Sequence, residues 1–249
     1  MSQSCILVTG ASSGIGQKIA IQLSKYETLI LGGKNAAKLA ATRELCENPA
    51  KHHIWECDLE NVSSIRQSLE VLIQHNNLSV HGFIHCAGMM KVMHMRSVDY
   101  QNALQIFNVN FFSATEIISS LLKKKINDAK LANIIFISAI LAQYGAKGHN
   151  LYSATKAALD GLMRSIAVEL APNTRVNSVL PGGIRTPMSE HAYNDPVILE
   201  NTLKEYPLGI GETADVANLV EFLISDKAKW ITGQQFIVDG GRTINISNK

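Results

Sequence analysis

The sequence predicts an α/β domain built on a parallel β-sheet that helices cover on both faces. Three observations lead to this prediction. Short apolar segments alternate with longer segments of helical period, the short segments are continuously hydrophobic, and no linker or internal repeat interrupts the alternation. Continuous hydrophobicity is typical of strands that are buried on both faces. A repeated strand–helix–strand order implies right-handed crossovers and therefore parallel strands.

Seven strands and six helices are predicted in alternation. The apolar segments expected to form strands are 5–9, 28–32, 53–58, 80–86, 133–138, 175–180 and 235–238. The segments with helical spacing are 14–25, 36–46, 63–74, 100–124, 152–170 and 213–223. Segment 186–207 fits neither period and carries three prolines, so we expect an irregular substrate loop or lid there. Residues 1–249 are otherwise expected to form one domain.

The composition limits the kinds of molecule that this protein is expected to bind. The 249 residues include 23 Lys and Arg against 21 Asp and Glu, a net charge of +2 that is too balanced for a nucleic-acid or membrane-surface footprint. The early apolar stretch is too short for a signal or a membrane span. The four cysteines form no CxxC pair, and no Cys/His spacing predicts a metal site. We therefore expect a cytoplasmic protein with reduced thiols and a small-molecule partner.

A glycine-rich segment joins the first predicted strand to the first predicted helix. Its glycines allow a tight turn and let a pyrophosphate approach the N–H groups at the helix N-terminus, where the helix dipole favours negative charge. The spacing differs from the common GxGxxG fingerprint, so a strand-to-helix turn without a ligand is an alternative. The candidate cofactor-binding residues of this turn are Gly10, Ser12, Ser13, Gly14, Ile15 and Gly16.

The ends of the second and third strands indicate which dinucleotide is bound. In dinucleotide-binding folds, an acidic residue after the second strand takes the ribose hydroxyls, whereas a basic residue accommodates a 2′-phosphate. Here Lys34 is available and no carboxylate is present. This favours NADP(H) over NAD(H), unless Lys34 is only a solvated surface residue. Asp58 and Leu59 close the third strand and are expected at the adenine edge.

Tyr152 and Lys156 are the candidate catalytic pair. Their i, i+4 spacing puts both side chains on one face of a predicted helix. A free phenol has a pKa near ~10, so it needs a nearby cation to ionise at neutral pH, and Lys156 can supply that cation. Such a tyrosine could exchange a proton with a carbonyl or alcohol oxygen while a hydride moves to or from nicotinamide. The pair alone is a common coincidence, but its position downstream of the glycine turn favours the catalytic interpretation.

Together these features resemble the single-domain branch of the short-chain dehydrogenase/reductase family, and the resemblance spans residues 5–242. It implies a Rossmann-type, doubly wound, parallel seven-stranded sheet and a homotetramer or homodimer. The matching motifs are Thr9 to Gly16, Cys86-Ala87-Gly88, Asn110, Tyr152 with Lys156, Pro181-Gly182-Gly183-Ile184-Arg185-Thr186, and the ending Ile231-Thr232-Gly233 with Val238-Asp239-Gly240-Gly241.

The resemblance also implies a role for individual residues. Tyr152 would be the acid/base, Lys156 would lower its pKa and hold the nicotinamide ribose, and Asn110 would support a proton-relaying water. Ile184 would bond the carboxamide through its backbone, and Thr186 would reach the pyrophosphate. The other cofactor positions that match are Cys86, Ala87, Gly88, Pro181 and Gly182.

One departure concerns the serine that polarises the substrate carbonyl in the family. The position thirteen residues before Tyr152 is Ala139, and Gly145 argues against shifting the alignment. Ser138 is one position away and would point to the opposite face of a strand unless a bulge redirects it. Either Ser138 substitutes, or another donor does, or the donor was lost naturally or by an engineered change. Cys86, where the family has an asparagine, is expected to pack as a small apolar residue.

Substrate contacts are expected from the loops at the carboxyl ends of the strands. The main candidates are Ala139, Leu141, His149 and Met188, and others are Met89, Met90, Met93, Gln143, His191 and Tyr193. Methionine-rich linings suit apolar ligands, although these methionines could simply pack the loop. The predicted helices 100–124 and 152–170 carry apolar residues on more than one face, which indicates an interface between copies of the chain.

The sequence therefore predicts an NADP(H)-dependent oxidoreductase that interconverts a carbonyl and an alcohol, favouring reduction. A 3-oxoacyl thioester or another keto compound is a possible substrate. Because Ala139 lacks a donor, a catalytically silent dinucleotide-binding protein is an alternative, and a homo-oligomeric scaffold with a vestigial pocket is a second one.

Overall fold

The computed structural model describes residues 2–128 and 131–245 and contains a seven-stranded sheet in which each adjacent pair of strands is parallel. The strand order is β3-β2-β1-β4-β5-β6-β7, so the chain winds outward in both directions from β1 and β4. This confirms the predicted Rossmann-type fold. The strands are β1 (Gln3–Thr9), β2 (Leu29–Gly33), β3 (His53–Glu56), β4 (Leu78–His85), β5 (Asn133–Ile137), β6 (Arg175–Pro181) and β7 (Gln235–Val238).

Two apolar layers hold helices against the two faces of the sheet. On β1, Cys5 and Leu7 enter one layer, while Ile6 and Val8 enter the other, because successive side chains of a strand point to opposite faces. All four are fully buried. The helices are α1 (Gly14–Leu23), α2 (Ala36–Glu44), α3 (Val62–His75), α4 (Tyr100–Phe107), α5 (Ser113–Leu121), α6 (Asn150–Glu169), α7 (Glu190–Tyr193), α8 (Pro196–Glu205) and α9 (Thr213–Ile224).

The predicted helix 100–124 is helical from Tyr100 to Leu121, where α5 ends, but it is not α-helical throughout. A π-helical turn, Asn108–Phe112, lies between α4 and α5. The π turn inserts an extra residue per turn and so changes which side chains face inward. Asn110, in the middle of this turn, is fully buried. Apolar periodicity runs through both α4 and α5, so the sequence pattern does not reveal the π turn between them.

Segment 186–207 contains helices, contrary to the irregular loop that the sequence predicts. Asp195 caps α8 by accepting hydrogen bonds from the N–H groups of Val197 and Ile198, and Pro196 occupies the first helical position. No residue of α8 is fully buried, so its sequence carries no clear amphipathic period. Among the described helices, none combines the length and apolarity that a membrane span requires.

Candidate active site

A cleft of about 920 Å³ opens at the carboxyl ends of the strands, where the winding reverses between β1 and β4. This is where open α/β sheets bind ligands. All the predicted cofactor residues line the cleft, as do Ser138, Ala139, Leu141, His149 and Met188. Asn110 lies behind the cleft wall. The structure thus brings residues from the whole length of the chain to one place.

The glycine turn requires glycine at two positions for different reasons. Gly10 has a positive φ of 69°, and a Cβ there would lie 2.8 Å from the backbone nitrogen of Ala87. A Cβ at Gly16 would lie 2.3 Å from the carbonyl oxygen of Gly10. The turn is therefore packed tightly against β4 and against itself. It leaves the N-terminus of α1 facing the cleft, where backbone N–H groups and the helix dipole favour an anion.

The segment after β6 closes the cleft opposite the glycine turn. A Cβ added at Gly14 would lie 3.4 Å from Cβ of Thr186, so the Thr186 side chain lies next to Gly14. Ser189 holds this segment in shape, since its hydroxyl donates to the Ile184 carbonyl at 2.6 Å and accepts from the Thr186 N–H at 3.0 Å. Ile184 also forms a parallel bridge with Gly211. Thr186 is thereby fixed beside the helix N-terminus at which a pyrophosphate would bind.

One end of the cleft presents a single lysine after β2. Lys34 is exposed and lines the cleft, whereas the neighbouring Asn35 uses its side chain to cap α2 by accepting from the Lys38 N–H at 2.9 Å. Asp58 and the buried Leu59 line the cleft after β3. The turn that follows β2 therefore carries the positive charge of Lys34 and no carboxylate.

Tyr152 and Lys156 meet in the middle of the cleft. The Lys156 Nζ lies 5.6 Å from the centre of the Tyr152 ring, within the range of a cation–π contact. Nζ also donates a hydrogen bond of 2.8 Å to the Ile137 carbonyl at the end of β5. Lys156 is 3% exposed. The spacing that the sequence shows thus becomes a direct contact, and β5 holds the lysine in place.

Burial dominates the ionisation of this pair. Burial, with a smaller contribution from the neighbouring Cys86 thiol, raises the pKa of Tyr152 to about 12. Burial lowers the pKa of Lys156 to about 8, against smaller opposing effects of Cys86 and Asp160. The pKa of Tyr152 therefore lies above that of a free phenol, because removal of the phenol from water dominates. The phenol is therefore neutral at pH 7.

Asn110 joins the cleft wall to the helix that carries Tyr152. Its Nδ2 donates to the Met89 carbonyl and to the Thr155 hydroxyl, both at 2.9 Å, and its Oδ1 accepts from the Met89 N–H at 2.7 Å. Thr155 in turn donates to the Tyr152 carbonyl at 2.7 Å. A Cβ at Gly88 would lie 3.4 Å from Lys156 Nζ, so this segment also touches the lysine.

The hydroxyl of Ser138 bonds to the backbone of α6. Its hydroxyl donates to the backbone carbonyl of Lys156 at 3.2 Å, and its side chain is buried against α6. Ala139, with an extended backbone at φ −164°, lines the cleft. The bond from Ser138 to α6 is evidence against the hypothesis that Ser138 substitutes for the family serine.

Three of the main residues predicted to contact the substrate also line the cleft. Leu141 and His149 are partly buried there and Met188 is exposed. Two further candidates turn elsewhere: the Gln143 amide bonds Gln235 on β7, and Met93 bonds Gly148 and Asn150 through its backbone. The His191 side chain lies outside the described part of the chain. Sequence reasoning missed Tyr144, Ile198, Thr202, Glu205, Tyr206, Arg242, Thr243 and Asn245, which also line the cleft.

Known proteins match nearly the whole chain. A family model described as enoyl-(acyl carrier protein) reductase matches residues 10–243. The 3-oxoacyl-[acyl-carrier-protein] reductase FabG of Aquifex aeolicus is 33% identical over 243 residues, which cover 94% of this chain and 95% of that protein. The (3R)-3-hydroxyacyl-CoA dehydrogenase of Canis lupus familiaris is 29% identical over 256 residues and covers 94% of each chain.

Solved structures also match nearly the whole chain. A 4-hydroxyisoleucine dehydrogenase mutant complexed with NADH and succinate aligns with a TM-score of 0.89 at 26% identity, covering 97% of this chain and 99% of that one. The glycine turn, the Tyr152–Lys156 contact and the strand order agree with these matches. The chain belongs to the short-chain dehydrogenase/reductase family and is an NAD(P)-dependent oxidoreductase that interconverts carbonyl and alcohol groups.

Proposed function

We propose that this enzyme reduces a neutral keto substrate with NADPH and that Tyr152 is its proton donor. The observation that carries the proposal is the contact between Tyr152 and Lys156 inside a cleft that also contains the glycine turn. When bound, the dinucleotide supplies a hydride to the carbonyl carbon. The Tyr152 phenol then donates its proton to the carbonyl oxygen, so the carbonyl becomes an alcohol and the phenol becomes a phenolate.

Lys156 and Asn110 support this proton transfer. The Lys156 ammonium lies over the Tyr152 ring and would stabilise the phenolate that forms when the proton leaves. Asn110 holds the Met89 backbone and Thr155, which keeps the tyrosine turn of α6 in register with the strand ends. A phenol with a pKa raised by burial stays protonated between turnovers, which favours reduction over oxidation.

The cofactor preference rests on Lys34. It is the basic residue at the end of β2, and an exposed ammonium there can pair with a 2′-phosphate. The pyrophosphate would be bound by the turn from Gly10 to Gly16 together with Thr186. Ile184 would contact the nicotinamide carboxamide through its backbone, and Asp58 would face the adenine.

The substrate end of the cleft favours an apolar acyl chain. Met89, Met90, Leu141 and Met188 line it, and methionine adapts to flexible apolar ligands. The relatives from Aquifex aeolicus and Canis lupus familiaris are named for 3-oxoacyl and 3-hydroxyacyl substrates. We therefore propose a 3-oxoacyl thioester as the first substrate to test.

Exposed apolar side chains support assembly into a homo-oligomer. Phe112 at the π turn is 40% exposed and Val168 on α6 is 80% exposed, and both belong to the helices for which the sequence predicts an interface. We propose that residues 1–249 form one domain and that copies of this domain associate through these helices. Gel filtration with light scattering tests this: a monomer at micromolar concentration would contradict it.

Two measurements test the function. Fluorescence titration with NADPH and NADH measures cofactor affinity, and tighter binding of NADH would contradict the argument from Lys34. Oxidation of NADPH in the presence of a panel of 3-oxoacyl thioesters and other ketones measures turnover. Binding without turnover of any ketone would favour the silent binder instead, and absence of binding would favour the scaffold.

A further inference from the structure

A chain of buried hydrogen bonds links the cofactor side of the cleft to the helix of Tyr152, and a histidine stands at its centre. His85 is the last residue of β4 and is fully buried. Its Nδ1 lies 3.0 Å from the Thr9 hydroxyl, and its Nε2 lies 3.2 Å from the backbone carbonyl of Asn110. Thr9 is the last residue of β1, directly before Gly10.

The partners of His85 determine which ring nitrogen carries the proton. A carbonyl oxygen can only accept, so Nε2 must donate to Asn110 and Nδ1 must accept. Thr9 then donates its hydroxyl proton to Nδ1, which leaves its oxygen free to accept the Ala87 N–H at 3.3 Å. Each of these three hydrogen bonds therefore has a defined donor and a defined acceptor.

The ring stays neutral because it is enclosed. Burial, with a smaller contribution from the nearby Lys156 ammonium, lowers the pKa of His85 to about 3. Phe83 and Phe136 pack beside the ring, with centroids 5.9 and 6.5 Å away. The imidazole is thus held in one orientation by packing, and its single N–H is aimed at the π turn.

The chain continues from Asn110 to the tyrosine. The Asn110 side chain donates to Thr155, and Thr155 donates to the Tyr152 carbonyl. Thr9, His85, Asn110 and Thr155 are all 0% exposed, so water cannot replace any of these bonds at low cost. The backbone carbonyl that His85 holds belongs to the residue whose side chain positions Thr155.

We propose that His85 is a positioning residue that holds the π turn against the end of β1, and thereby sets where Asn110 and Thr155 place the Tyr152 phenol. The inference rests on the proposed function, since it assigns His85 to the same proton transfer. His85 touches neither substrate nor cofactor in this scheme. A shift of about 1 Å in a catalytic group can cost about 10²-fold in rate, so loss of the bond should act on turnover.

The test compares two substitutions at position 85. His85→Phe keeps a planar ring but can neither donate to Asn110 nor accept from Thr9, and we expect kcat to fall about 10²-fold. His85→Gln retains one donor and one acceptor, and we expect it to recover about tenfold of that loss. The Kd for NADPH should stay within about twofold in both variants, because the glycine turn and Lys34 are unchanged. A purely structural histidine would change stability without this split between kcat and Kd.

Two outcomes would overturn the inference. One is that both variants fold and turn over at the wild-type rate. The other needs no variant: ¹⁵N NMR of the wild-type enzyme at pH 7 should show His85 protonated at Nε2 and bare at Nδ1, and the opposite tautomer would refute the network even if the variants fail to fold. Tyr152→Phe serves as the control for the proposed function. If Tyr152→Phe retains turnover, the function proposal fails; if it abolishes turnover while the folded His85 variants do not, only the present inference fails.

Discussion

Replacing Ala139 with serine should accelerate the reaction that this enzyme performs. Ala139 lines the cleft two residues after the end of β5 and is only 7% exposed, so a hydroxyl added to its Cβ would face the substrate with little competition from water. The neighbouring Ser138 cannot provide this bond, because its hydroxyl donates to the Lys156 carbonyl. Ala139→Ser would therefore supply a donor where the wild-type chain has none.

The expected size of the effect follows from one preorganised donor. Such a donor on a developing oxyanion is worth about 10²–10³ in rate, or about 2.7–4 kcal/mol. A serine hydroxyl rotates freely about its χ1 bond, so we expect the lower end, about 10²-fold in kcat. The affinity for NADPH should not change, since position 139 lies on the substrate side of the cleft.

The assay is single-turnover oxidation of NADPH with a 3-oxoacyl thioester. Ala139→Cys is the matched control, because it adds similar bulk but only a weak hydrogen-bond donor. Ser138→Ala is the second control and should leave the rate of hydride transfer within about threefold, since that hydroxyl bonds to backbone. An unchanged rate in Ala139→Ser, with NADPH bound normally, would refute the assignment of the missing donor to this position.

Three further perturbations test other parts of the cleft. Lys34→Ala should weaken NADPH about fivefold and leave NADH unchanged, the size expected for an exposed ion pair, and titration in low and high salt measures it; an equal loss for both cofactors would contradict the role of Lys34. Gly16→Ala puts a Cβ 2.3 Å from the Gly10 carbonyl, so we expect a loss of about 1–3 kcal/mol in unfolding free energy together with weaker NADPH binding. Thermal melts with and without NADPH measure both effects, and an unchanged melting temperature would contradict the prediction. Because burial lowers the pKa of Lys156 to about 8, the ammonium is charged below that pH and lost above it, so kcat/KM for reduction should fall as the pH rises through about 8, whereas a profile flat to about pH 10 would contradict this.

The lowered pKa of Lys156 should make the folded protein more stable as the pH rises, whereas kcat/KM falls over the same range. Its pKa falls from 10.5 in the unfolded chain to about 8 in the folded one, so the unfolded chain binds more protons between these values. The contribution of this group to the unfolding free energy therefore rises with pH over that window. Urea melts of wild type and Lys156→Met at pH 8 and pH 10 measure the difference.

The sequence predicts the sheet well because each strand is buried on both faces. Continuous apolar segments such as Ile6 to Val8 have few alternatives to a central parallel strand. Helix α8 was missed because its stability comes from the Asp195 cap and Pro196 rather than from a buried apolar face. The π turn around Asn110 was missed because one inserted residue leaves the apolar pattern on both sides intact.

The candidate site was predictable where local geometry decides it. The glycines at 10, 14 and 16 and the i, i+4 spacing of Tyr152 and Lys156 are properties of the chain itself. Ionisation was not predictable, because the pKa of Tyr152 depends on how deeply other segments bury it. The role of His85 was equally hidden, since its partners Thr9 and Asn110 lie 76 and 25 residues away in the chain.

The sharpest measurement is the hydride-transfer rate of Tyr152→Phe beside its affinity for NADPH. Phenylalanine keeps the ring under the Lys156 ammonium but has no proton to give. We expect NADPH to bind within about twofold of wild type and ketone reduction to fall by about 10²–10⁴, the usual contribution of a positioned acid. A variant that still reduces the ketone at the wild-type rate would mean that the proton comes from elsewhere.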